Sequence, residues 1–153
     1  MLKYKMAQAK QGEKMNKTAN TLLIIGGVLA VLAVIGGIVT TIIMFGIVNA
    51  ANNPEIVAQV KEVIKNSYPE YTAAQIDAVY AKVQEICNAM AYIQLVEVII
   101  TFVAAIEAFV AAKMQHTGLY IAAIVLGVLS INIFTLIGGI IGVVKRNQQP
   151  VEA

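Results

Sequence analysis

From Thr21 to Val48 the chain carries no charged residue. As a helix rising 1.5 Å per residue, that run is about 40 Å long, more than the roughly 30 Å of hydrocarbon in a bilayer. It constrains the fold more than any other feature. Only 13% of the 153 residues are charged, about half the usual share in soluble domains. The deficit is local, because whole stretches lack charge, and a bilayer explains that distribution better than a large soluble core. A cleaved secretory signal is the rival reading, since Val48-Asn49-Ala50 offers small residues for a protease. A signal core of roughly 7–15 residues is far shorter than this run, so a span is the better reading.

Two further apolar runs follow. Residues 89–112 form the second candidate span, and 118–144 form the third apolar run, again without charge and closed by Lys145-Arg146. Between the first two lies 51–88, the one long polar segment. Asn53-Pro54-Glu55 there reads as a helix start, with Asn at the cap, Pro in the first turn and an acid near the positive end of the dipole. Ile56, Val57, Val60, Val63 and Ile64 share one helical face. Asn66-Ser67-Tyr68-Pro69 ends that helix, and Thr72 with Gln75 makes a capping box for a second. Ile76, Val79, Tyr80, Val83 and Ile86 are its apolar stripe. The segment is expected to be a helical hairpin with one apolar side, whose second arm runs directly into the next span.

Charge placement orients the chain. Lys3, Lys5, Lys10, Lys14 and Lys17 precede the first span, against the single acid Glu13, and place residues 1–20 on the cytoplasmic side. The 51–88 hairpin is then extracytoplasmic, consistent with its five acids and three lysines. A single span over 118–144 would export Lys145 and Arg146. Two short spans, 114–130 and 131–146, would keep them inside and put Ser130 and Asn132 at the turn. The expected fold is therefore an all-α polytopic transmembrane helical bundle. Four spans are preferred over three, with span 1 at 21–48, span 2 at 89–112, an extracytoplasmic hairpin and a cytoplasmic tail at 147–153.

The order of these features resembles a family of small bacterial four-span membrane proteins, the domain of unknown function numbered 4064. The resemblance rests on Lys17-Thr18-Ala19 before the first span and Asn53-Pro54-Glu55 after it. Tyr71-Thr72-Ala73-Ala74-Gln75-Ile76-Asp77 and the closing Gly138-Gly139-Ile140 and Lys145-Arg146 also carry it. It covers most of the chain after Met15, although the last apolar run is shorter than is usual there. What it implies is a bacterial inner-membrane location, with no activity attached.

Helices in lipid associate through small and polar residues rather than through a hydrophobic drive. Gly26, Ala30, Ala33 and Gly37 step along one face of the first span, and Gly138 with Gly142 forms a second small-residue pair. Both read as packing seams, within one bundle or between copies. On the second span Gln94, Glu97 and Thr101 share a face that continues as Ala105, Ala108 and Ala112. Glu97 lies about 24 Å along the helix from Lys113. A carboxylate at that position is a candidate proton or cation site, or else a protonated structural group. Glu107 falls on another face, about 9 Å from Lys113, and reads as reaching toward the cytoplasmic surface.

Catalytic chemistry finds little footing. Cys87 is the only cysteine and His116 the only histidine, so neither an intramolecular disulfide nor a Cys/His metal-ligand spacing is available. The net charge of +2 and the lack of a basic stripe argue against nucleic acid. The expected partners are the lipid bilayer and other membrane proteins, or further copies of the chain. No cofactor and no enzymatic activity are expected, and the competing class is a small transporter or pore component using Glu97.

Overall fold

Every regular element among the described residues is an α-helix, in the order α1 (Leu2–Ala50), α2 (Pro54–Ser67), α3 (Ala73–Met114), α4 (Thr117–Leu129) and α5 (Ile133–Arg146). This computed structural model describes the backbone of residues 2–146 and the side chains of 17–146. The tail 147–153 and the side chains of Lys3, Lys5, Lys10 and Lys14 lie outside the described residues. Two helices, over Lys17–Ala50 and Ala73–Met114, are long and apolar enough to cross a membrane.

Hydroxyls on α1 are absorbed by the helix itself. Thr21, Thr40 and Thr41 each donate through Oγ1 to the carbonyl four residues back, at 2.8, 3.0 and 2.8 Å. A hydroxyl bonded in this way needs no water, which lets threonine sit in an apolar helix.

Helix α2 begins where the sequence predicts. Asn53 Oδ1 accepts from the Glu55 amide at 2.9 Å, with Pro54 in the first turn. The break after Ser67 is held by Lys65, whose Nζ donates to the carbonyls of Pro69 and Tyr71. Tyr68 and Tyr71 stack there with ring centroids 5.0 Å apart. At the start of α3 the Thr72 amide donates to Gln75 Oε1 at 2.8 Å, and the Gln75 amide donates back to Thr72 Oγ1 at 3.3 Å. This reciprocal pair satisfies donors that a helix start otherwise leaves orphaned. From there α3 continues unbroken for 42 residues. The second arm of the polar hairpin and the following apolar segment are therefore one helix.

The last apolar run is two helices. Residues 130–132 separate α4 from α5. The Ser130 and Asn132 amides donate to the carbonyls of Leu126 and Gly127, and the Ile131 amide donates to Val128. Ser130 Oγ also donates to Leu126, at 2.6 Å. Asn132 then opens α5, its Oδ1 accepting from the Thr135 amide at 3.1 Å. Ile131 between them has φ 52°, a left-handed conformation unusual for a β-branched residue.

The chain divides into two compact units. Among the described residues, one holds 2–35 and 97–146; the other runs from Gly36 to Val96. The first is built on small residues. Ala111, Ala112 and Ala123 surround Leu23 and the fully buried Tyr120. The second is pinned by polar contacts. Tyr80 Oη donates to the Ala51 carbonyl, Gln84 Nε2 donates to Asn52 Oδ1 at 2.6 Å, and Lys61 pairs with Asp77 at 2.7 Å. Phe45 meets Tyr92 edge-on at 5.7 Å.

Candidate functional site

The seam residues separate into filled and open positions. A Cβ on Gly26 would lie 2.8 Å from the Thr135 amide nitrogen and also collide with the Thr135 hydroxyl. One on Gly138 would lie 2.9 Å from Leu23 Cγ, and one on Gly142 would enter the Tyr120 ring. Gly139, which the sequence reading did not single out as a seam residue, is equally tight, 2.7 Å from the Tyr120 carbonyl oxygen. Gly127 is pressed against the Leu136 backbone at 2.7 Å. These glycines let α5 approach α1 and α4 to backbone contact, where dispersion forces act over many atom pairs. Ala30 is buried, whereas Ala33 is exposed and Gly37 is only half-buried. The stepped line on α1 is thus occupied at its first half.

Asn132 adds a polar clasp to this packing, its Nδ2 donating to the Gly26 carbonyl at 2.8 Å. One side chain thereby caps α5 and holds it to α1. The sequence marked Asn132 as a turn residue. Its reach to α1 follows from a register that spacing alone does not reveal.

Gln94, Glu97 and Thr101 have different surroundings. Thr101 is buried, Gln94 is half-buried and Glu97 is exposed. Among the described residues, none of the three makes a side-chain hydrogen bond or ion pair. Around Glu97, the side chains of Ile93, Val96 and Ile99 are also exposed. The acid therefore stands on an apolar outer face of α3.

Glu107 is the acid that turns inward. Both carboxylate oxygens are buried with no hydrogen-bond partner among the described residues. A signal for this was present in the sequence. Glu107 follows Ala104 by three and precedes Ala111 by four, and both alanines are fully buried. That line of small residues runs beside the one through Ala105, Ala108 and Ala112.

Polar groups at the foot of α4 and α5 have structural roles. His116 caps α4, its Nδ1 accepting from the Gly118 amide at 3.2 Å. Arg146 Nη1 donates to the Gln115 carbonyl, tying the end of α5 to the α3–α4 turn. Cys87 is free and half-buried. Among the described residues no group of three or more His, Cys, Asp or Glu side chains is arranged to hold a metal ion.

No protein-family model matches the chain, and no match is found among curated proteins or solved structures. The class of protein rests on its own physical features: an all-helical chain with two helices able to cross a membrane.

Proposed function

We propose that this chain is a multi-pass inner-membrane protein of a bacterial cell, N-terminus cytoplasmic, that works by binding other membrane proteins or further copies of itself. The observation that carries this reading is Glu97. An ionisable side chain stands exposed among isoleucines and valines, with no partner among the described residues. Facing lipid, such a group is costly. A polar group on a neighbouring transmembrane helix would relieve that cost, and interhelical hydrogen bonds of this kind hold membrane helices together.

The topology we favour gives α4 and α5 a joint role. At 13 and 14 residues they are about 20 Å long, short of the roughly 30 Å hydrocarbon layer. Four full spans would require the bilayer to thin around them. A hairpin that enters and leaves on the cytoplasmic side keeps Lys113, Lys145 and Arg146 on one surface without thinning. Ile131 supports this arrangement. It is 90% exposed at the turn, where a water-facing left-handed position normally takes Gly or Asn. The turn's amide donors are satisfied internally, as hydrocarbon demands.

The transporter reading, with Glu97 binding a proton or cation, is the alternative. Purified protein in liposomes separates the two. Self-association or a reproducible stoichiometric partner, lost in Glu97→Leu and kept in Glu97→Gln, is expected. Proton or cation flux by the protein alone, abolished in Glu97→Gln, would overturn the binding reading. For the hairpin, a cysteine at position 131 in a Cys87→Ala background is expected to resist impermeant maleimide from both sides of the membrane. Labelling from outside would establish two full spans.

A further inference from the structure

The unit from Gly36 to Val96 contains a cavity of about 250 Å³ lined chiefly by Ile47, Ile56, Val60, Tyr80, Val83 and Cys87. Two lining side chains carry strong polar groups, and both are already engaged. The Tyr80 hydroxyl donates to the Ala51 carbonyl, and the Gln84 amide donates to Asn52. These same bonds hold the α1–α2 turn against α3, so the wall is both fixed in place and chemically hydrocarbon. The space is half open, and water in it would find almost no partners, which favours an apolar guest.

We propose that this cavity binds one acyl chain of a membrane lipid. The proposal rests on the membrane reading above. Three observations identify the occupant. With the Tyr80 hydroxyl and the Gln84 Nε2 engaged, the accessible wall is almost wholly carbon and selects against a polar ligand. The volume matches on the order of eight methylenes, if each is taken to be about the size of a water molecule. Two lining residues also continue onto exposed apolar positions of the candidate spans: Ile43 lies one turn before Ile47 on α1 and Met90 one turn after Cys87 on α3. These residues stand at the end of both candidate spans next to the polar hairpin, so a chain of the adjoining leaflet meets the cavity where the hydrocarbon layer ends. Lipid is present there in large excess, so even weak preference keeps the site filled by mass action.

The full chain reconstituted in nanodiscs tests this, using a phospholipid that carries a photoactivatable diazirine midway along one acyl chain. Crosslinks are expected to concentrate on the peptides containing Val60 and Val83. Val60→Trp, which fills the space, should reduce them several-fold while helicity is retained. Cys87 gives a second readout that does not depend on that variant folding. Its alkylation by an apolar maleimide should be several-fold slower in lipid than in short-chain detergent. Even labelling along α1 and α3 together with equal alkylation rates would overturn the proposal. Alkaline extraction separates this failure from that of the membrane reading. A chain that stays in the membrane pellet without these signals refutes the acyl site alone, and a chain released to the supernatant refutes both.

Discussion

Glycines in α1 meet opposite circumstances in the two units. Gly26 and Gly27 have no room for even a methyl group, being pressed by α5 and by the Phe109 ring. Gly36 and Gly46 have nothing within 4 Å of where a Cβ would stand. The residue type is the same and so is the helix. A small residue in an apolar helix therefore marks close packing only where a second element arrives to use it. The first unit is held by shape, glycine against backbone and ring. The second is held by a few hydrogen bonds at the α1–α2 turn, with an apolar cavity beside them.

That contrast can be broken by substitution, with stability read from thermal or denaturant unfolding in micelles. The largest effect is expected for Gly139→Ala, where the new methyl meets the Tyr120 carbonyl backbone and must displace α4 from α5. Overpacking of this kind costs about 3 kcal/mol, at the upper end of its usual range. Asn132→Ala comes next at about 2 kcal/mol, because it removes both the α5 cap and the bond to the Gly26 carbonyl. In the other unit, Tyr80→Phe loses only the bond to Ala51, a loss of about 1 kcal/mol. Gly36→Ala is the smallest and has the opposite sign, a gain of roughly 0.5 kcal/mol from helix propensity, since nothing stands in the way. A Gly36→Ala loss as large as that of Gly139→Ala would erase the distinction between the units.

Local features were legible in the sequence because their causes are local. The Asn53 cap, the Thr72–Gln75 capping box and the break at Ser130–Asn132 each depend on residues a few positions apart. The run of α3 from a polar arm into an apolar segment was also readable, since no breaker interrupts it. The acids were harder to place. Helical spacing put Glu97 on the same face as Thr101, and Thr101 is indeed buried, yet Glu97 is exposed and Glu107 turns inward. Periodicity says which residues share a face; it does not say how far along the helix that face stays covered. Coverage depends on where the other helices end, and that is a property of tertiary register. The same reason hid the contact from Asn132 to Gly26, which joins residues 106 positions apart.

The turn at Ile131 also bears on how the protein is made. Neither α4 nor α5 is long enough to cross a bilayer by itself, and Gly127, Gly139 and Gly142 press the two together. Under the topology proposed above, a nascent chain emerging as far as Leu129 would offer the insertion machinery a helix with no stable resting place. Release into lipid would then wait until α5 had been synthesised and the two could leave together. On that reading the unit of biogenesis for this segment is the hairpin rather than the single helix.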